Sequence, residues 1–413
     1  MAYYNPLNHR LERTRAPVPS HYNVPPDRDI TEDLVTSSPV EIFTSLVVDG
    51  NLETVDVQNV RYIGSYNWID ATSPTIIVPG LSPISFSETS ELTRLSSGSP
   101  PVWKDPSMPI KLTPDTGLRF VDQNGFRIPS SPLLPLFASV DVIGTPVEWP
   151  SVDFILDRNA LRKITRWIDC GPMTVDFRID MELAGPGTVL MNRWEPRTKD
   201  VAGNGRSYGF AFEETNTVPV PGCERSTGHY RIVQYDFCGL DIIVRFEVDT
   251  CIATTAGAET ADQCESATFP AMYKYTPASI LNIIPAGHAV LQASIVELKT
   301  RSKWFADKVD WSSIYPQLYF SATSLLYLGI HDRGKFSQNH KFRTDDEGLE
   351  GLRAVAKESF RKLGEMLQTI RKMVIQHGKA KQLSLVCEGG VLTVYERCVD
   401  EKCLPDSILA RFY

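Results

Sequence analysis

The stretch Asp241 to Asp249, DIIVRFEVD, constrains the fold more than any other. Its β-branched run favours an extended strand apolar enough to lie inside a sheet. Alternate side chains of a strand share a face, so Arg245, Glu247 and Asp249 project to one side and Val244, Phe246 and Val248 to the other. Two carboxylates then stand beside one cation. Gln292 to Lys299, QASIVELK, repeats the pattern, with Glu297 and Lys299 on one face and Val296 and Leu298 on the other. Alone, each is usually a solvated face or a surface ion pair. Acids on central strands, however, are seldom tolerated without a partner or a metal. The pair reads as a generic acidic nuclease core: carboxylates for a divalent metal, and a lysine to hold the attacked phosphate or steady the attacking water.

The rest of the chain surrounds these strands with mixed structure. Residues 1–40, rich in Pro, Arg, Asp and Asn without apolar periodicity, predict a flexible or draped arm, with the catalytic domain spanning 41–413. Short apolar runs at Val55 to Ile63, Thr75 to Val78 and Leu133 to Ile143 predict strands and long loops in the first third. Arg158, Leu161, Ile164 and Trp167 recur at helical spacing behind an acidic cap at Asp157. Leu352, Val355, Phe360, Leu363, Leu367, Ile370 and Val374 predict a long amphipathic helix. Two hairpins follow from Ser321 to Ile330 running into Asp332-Arg333-Gly334, and from Leu383 to Cys387 and Val391 to Tyr395 around Glu388-Gly389-Gly390. Residues 250–288, low in charge and rich in Ala, Thr and Pro, read as a surface insertion. Strands and helices interleave without strict alternation, which predicts an α/β (α+β) single domain: a central mixed β-sheet plus a smaller sheet, flanked by helices, with the active-site cleft between them.

Composition narrows the classes. With 413 residues and a net charge of −8, the chain advertises no global basic field, which argues against non-specific coating of nucleic acid but not against a metal-dependent nuclease. No run of 18 apolar residues is present and the first residues lack an apolar signal core, so no membrane association and an intracellular setting, nuclear or cytoplasmic, are expected. Eight cysteines without a C-x-x-C pair predict reduced structural thiols, Cys251, Cys264, Cys398 and Cys403 among them.

Gly209-Phe-Ala-Phe-Glu213, Phe246-Glu-Val-Asp249, Glu297-Leu-Lys299 and Gln317, in this order, resemble the metal-site motifs of the DXO family of decapping exonucleases, which includes fungal partners of nuclear 5′-3′ exonucleases. The stretch Asp153 to Ile164 resembles the family segment that carries a phosphate-contacting arginine, here Arg158. The resemblance covers roughly residues 110 to 400 and slightly favours the nucleus. It implies that Glu213, Glu247, Asp249 and Glu297, with the Leu298 carbonyl, bind one or two Mg²⁺ or Mn²⁺ ions. Lys299 and Gln317 would flank the scissile phosphate, and Arg158 would grip a neighbouring one. The implied activity is hydrolysis at an RNA 5′ end bearing a triphosphate, a cap or an NAD cap, with or without 5′-3′ exoribonuclease action. A 5′-3′ exoribonuclease is the implied protein partner. The chain departs from the family at Asn159, where glycine is usual, in its first third, where only Tyr62-Ile-Gly64 echoes an early strand, and in the 48 positions from Asp249 to Glu297. The insertion within those positions could lid the cleft, dock a partner or decorate the surface.

Other features carry less. His288, His331 and His340 lack ligand spacing. Trp304, Trp311, Tyr315 and Tyr319 near Gln317 could stack a base, although aromatics so spaced are more often core. Gly203-Asn-Gly205 is a turn rather than a phosphate loop, and Lys372 to Lys381 is a solvated helix end. Two alternatives stay open: an acidic-core DNA endonuclease, which has no need of Glu213, Gln317 and Arg158 in this order, and a non-catalytic scaffold for an exonuclease, which has no need of four retained carboxylates.

Overall fold

The structure, a computed structural model, describes residues 27–43, 55–79, 99–202, 206–253, 280–285, 289–378, 381–399 and 402–413. An eleven-stranded mixed sheet runs, edge to edge, through Glu41–Phe43, Val391–Glu396, Leu383–Glu388, Phe177–Ala184, Thr188–Trp194, Phe154–Asp157, Leu240–Val248, Ser226–Phe237, Gln58–Ile69, Thr75–Val78 and Asn282–Pro285. Phe154–Asp157 lies between two parallel neighbours at its centre. It is buried on both faces, as its unbroken apolar run FIL requires: Phe154 and Leu156 enter one core cluster and Ile155 the other.

The helices Arg158–Cys170 and Glu350–His377 cover the first face, bringing Leu161, Ile164, Phe360, Leu363, Leu367, Ile370 and Val374 against the sheet. Val355 shares the spacing but is 72% exposed, because the sheet contact starts further along the long helix. Leu134–Ile143 covers the second face. The strands expected from Leu133 to Ile143 are instead this helix. Eight of its ten residues are buried, so no polar face marks a helical period, while Pro135 suits its first turn and Gly144, at φ +76°, ends it. The two hairpins form as expected, Leu325–Asp332 with Lys335–Arg343 and Leu383–Glu388 with Val391–Glu396.

A second sheet of seven strands is ordered Thr217–Val218, Val102–Trp103, Thr250–Cys251, Ile295–Ser302, Leu325–Asp332, Lys335–Arg343 and Ile110–Lys111. Its central pair, Ile295–Ser302 and Leu325–Asp332, is parallel, with the helix Trp311–Phe320 in the connection between them. The mixed large sheet, smaller sheet and flanking helices are the architecture expected from the sequence.

From residue 27 onward the amino-terminal segment is draped rather than loose. Glu41–Phe43 adds a strand to the large sheet, and the buried Arg178 donates to the carbonyls of Ile30 and Glu32 at 3.2 and 2.6 Å. The 250–288 stretch begins as Thr250–Cys251 in the smaller sheet, and its later strand Asn282–Pro285 pairs with Thr75–Val78 at the edge of the larger one. Cys264, His288, Gly203-Asn-Gly205 and the body of that stretch lie outside the described residues. Among the described residues, no helix is long and apolar enough to cross a membrane.

Candidate active site

One of the connections between the two sheets is a single residue. Leu240–Val248 belongs to the large sheet and Thr250–Cys251 to the smaller, so Asp249 sits at the step between them. There its Oδ2 accepts the Leu298 amide at 2.7 Å, tying the step to the strand Ile295–Ser302. Strand alternation places Glu247 two residues before Asp249. Tyr230 is its partner on the neighbouring strand, and Gly228, two residues along, leaves it room, since a Cβ there would stand 3.2 Å from Glu247 Oε1 and 2.8 Å from Gln123 Oε1.

Glu213 comes from the short helix Gly209–Asn216, which packs against Ile295–Ser302. The buried Phe212 stacks on Phe336 with ring centroids 4.7 Å apart, and Asp115 accepts the Ala211 amide at 2.9 Å near the helix start.

Glu297 is buried and its carboxylate is already taken. It accepts from Lys299, from the Gln317 amide and, at 3.2 Å, from Arg158. Arg158 NH1 also lies 3.3 Å from Ser321 Oγ and 3.5 Å from the Gln317 carbonyl, with its guanidinium 5.5 Å from the centre of the Phe246 ring. Glu213, Glu247, Asp249, Glu297, Lys299, Gln317 and Arg158, expected from five separate stretches of sequence, are thus brought to one place. Leu298 contributes its backbone there, while its side chain lies in the apolar cluster with Phe212 and Tyr327.

The electrostatics of this place are lopsided. Burial, and then the charges of Asp249, Glu247 and Glu297, push the Glu213 carboxyl well above its ordinary range. Burial, and then the Glu297 charge, push Asp249 up to about 7. Burial also raises Glu247, partly offset by Arg193 and Arg158. Glu247 is nevertheless reached by solvent, crowded by protein but open to water. Glu297 goes the other way. Burial would raise it too, but Lys299 and Arg158 outweigh burial and hold it down at about 2. Glu213, Glu247 and Asp249 thus stay raised where Glu297 is held down, and a divalent cation of the Mg²⁺ or Mn²⁺ type fits these hard oxygen donors. Among the described residues no three such groups converge as ready metal ligands: Glu297 is turned to its cations and one Asp249 oxygen to the Leu298 amide.

Two expectations need correction. Arg245, on the same face as Glu247, is not a cation of the cleft: fully buried, it grips Asp157 with two bonds of 2.6 and 2.9 Å and reaches the Pro132 carbonyl at 2.7 Å. Asp157 accordingly does not cap the helix it precedes, its carboxylate being spent on Arg245. Alternation specifies a face, not a partner 88 positions away.

The cleft has a positive wall that sequence reading missed, made of Arg162 and Arg193 beside Arg158. Burial, and then Arg158, pull Arg162 down to about 10. Arg193 is held by Glu195 at 2.8 Å, which also takes Lys163 at 3.0 Å. A signal for part of it existed: Arg158, Arg162 and Arg166 recur every fourth residue and so share one helical face. Of the aromatics, Tyr315 and Tyr319 are core residues on Phe360 and Trp311 is buried beside Phe342, whereas Trp304 is 71% exposed. His331 packs between Tyr208 and Phe336, and His340 lies against Phe342 away from the carboxylates.

The architecture is that of the Rai1 proteins. The chain is similar to Scheffersomyces stipitis Rai1 in complex with (3′-NADP)+ and calcium ion, with a TM-score of 0.53 and 12% identity over 86% of this chain and 93% of that one. It is similar to Candida albicans Rai1 in complex with pU5-Mn2+, with a TM-score of 0.51 and 12% identity over 87% and 98% of the two chains. For S. pombe Rai1 in complex with 3′-FADP the TM-score is 0.50, with 14% identity over 86% and 99%. The fold implied by the DXO-family resemblance is therefore present. In sequence, residues 50–413 match the family described as Domain of unknown function (DUF8563), and the chain belongs to that family. No curated protein matches it.

Proposed function

We propose that this chain is a metal-dependent hydrolase of RNA 5′ ends and that residues 41–413 form its catalytic domain. The observation that carries the reading is the cluster of Glu213, Glu247 and Asp249, three carboxylates pushed up by burial, with neighbouring acids adding to the rise at Glu213 and Asp249, at the step between two sheets and beside a wall of Arg158, Arg162 and Arg193. Acids lacking compensating charge next to arginines suit a cation on one side and phosphates on the other. The fold is also that of a protein whose structure holds the oligonucleotide pU5 with Mn2+ and of others that hold 3′-FADP or (3′-NADP)+.

Glu213, Glu247, Asp249 and Glu297, with the Leu298 carbonyl, would hold one or two Mg²⁺ or Mn²⁺ ions. Bound there, such ions lower the pKa of coordinated water and offset charge at the attacked phosphorus. Lys299 and Gln317 are within reach of a phosphate at the same place, because both already meet the Glu297 carboxylate, whose oxygens resemble phosphate oxygens in charge and reach. Arg158 holds the adjacent phosphate. The deciding experiment incubates the protein with Mn²⁺ and 5′-triphosphate RNA, NAD-capped RNA or plasmid DNA and identifies products by mass spectrometry. Release of pyrophosphate, a capping dinucleotide or 5′ nucleotides is expected. Cleaved plasmid with both RNAs intact would overturn the assignment in favour of a DNA endonuclease.

A further inference from the structure

The strand that carries Glu297 and Lys299 does not end at the cleft. Arg301 lies two residues beyond Lys299, hence on the same face, roughly 13 Å along from Glu297. Its guanidinium donates to the carbonyls of Phe305 and Lys308 at 3.4 and 2.8 Å, fastening the turn 303–308. That turn presents Trp304 and Phe305, 71% and 53% exposed. Beside them an open depression of about 410 Å³ is lined by Lys111, Trp304, Asp332, Arg333 and Lys335. Lys303 pairs with Asp332 and lies 5.1 Å from the centre of the Trp304 ring. The lining of the depression thus carries three cations to one acid, and that acid is already paired by Lys303, on a protein whose net charge is −8.

The patch stands on a fixed frame. Gly334, at φ +84°, sits so close to Tyr208 and the Leu112 carbonyl that a Cβ would come within 2.4 and 2.6 Å of them. The Leu112 amide bonds the Gly334 carbonyl at 2.8 Å, locking the tip of the hairpin to the neighbouring strand. An exposed indole on a rigid, basic ledge is a poor way to protect apolar surface and a good way to stack a base between phosphate contacts.

We propose that this ledge is a second binding site, for the single-stranded body of the RNA downstream of the end held at Lys299, with a base stacked on Trp304 and phosphates on Lys111, Arg333 and Lys335. The proposal rests on the RNA reading of the cleft. Charge selects this occupant, since an acidic protein that concentrates cations around an aromatic ring offers complementarity to a polyanion with flat bases.

The test uses 5′-monophosphorylated, 3′-labelled oligoribonucleotides of about 2 to about 12 nucleotides, with affinities read by fluorescence anisotropy in Ca²⁺ and hydrolysis in Mn²⁺. The wild-type protein is expected to bind the longest about tenfold more tightly than the shortest, a gain that shrinks as salt rises. Trp304→Ala and Lys335→Glu should each remove most of that gain, and Trp304→Phe should keep it. A wild-type protein that hydrolyses RNA while both Trp304→Ala and Lys335→Glu retain the full gain would overturn the ledge and leave the cleft reading standing. A wild-type protein that neither binds nor hydrolyses RNA of any length would overturn both.

Discussion

Two groups of charge lie along the few residues of Arg-Phe-Glu-Val-Asp, and they behave oppositely. At Arg245 the account closes: a carboxylate from Asp157 meets it with two bonds, the Pro132 carbonyl takes a third, and no net charge is left over. At Glu247 and Asp249, one and two pleats further on, burial makes the carboxyl protons hard to remove, and at Asp249 the charges of Glu297 and Glu247 add to it. The first group is structure, and the second is the one we propose for chemistry. Burial of charge marks neither by itself; what separates them is whether the protein supplies the counter-charge or leaves it for something else to bring.

The largest way to break this contrast is Arg245→Ala. Leaving Asp157 buried and unpaired should cost about 3–5 kcal/mol of stability, measured by urea unfolding. If the loss is under about 1 kcal/mol, the two groups do not differ as described. Glu247→Ala or Asp249→Ala should do the reverse, lowering Mn²⁺-dependent hydrolysis at least about a hundredfold, and Glu247→Ala should leave the apo protein unfolding no earlier than wild type. Full activity in both variants would remove the carboxylates from the chemistry. Mn²⁺ at about a hundred times its Kd should stabilise the wild type by about 2.7 kcal/mol, and EDTA should return it to the apo value. Asp249→Asn should show a much smaller response.

A pH series sharpens the comparison further. The folded protein holds the Asp249 proton up to about 7 against an ordinary 3.8, so between those values the folded state binds more protons than the unfolded one. Apo stability should therefore fall as pH rises from about 4 to about 7, and Asp249→Asn or added Mn²⁺ should flatten the slope. Glu297 works in the opposite sense. Held down at about 2 against an ordinary 4.5, it contributes stability that is complete above 4.5 and lost as pH falls toward 2.

Much of this was legible in the sequence where the signal is local. The hairpin turn at Arg333-Gly334, the alternation through Phe246, Glu247 and Asp249, and the spacing of Phe360, Leu363, Leu367 and Ile370 are set by neighbours a few residues away. The step at Asp249 was not legible, since nothing in Val-Asp-Thr shows that the chain changes sheets there. Leu134–Ile143 was misread because burial on all sides erases the period by which helices are recognised. Arg245 was misassigned and Arg193 overlooked for one reason: their meaning lies in partners from other strands, Asp157 in one case and the Glu247 side of the cleft in the other. The draping of residues 27–43 depends in the same way on Arg178, far along the chain.

The occupied state of Glu297 has a thermodynamic consequence. A cation that takes this carboxylate must compete with Lys299, Gln317 and Arg158 for it, and those are the groups we propose for phosphate. Conversely, a phosphate that draws them away leaves Glu297 open to the cation. Metal and anion should therefore reinforce one another by the same factor in either order of addition. Metal affinity measured on the protein alone would accordingly understate the affinity at which the site works.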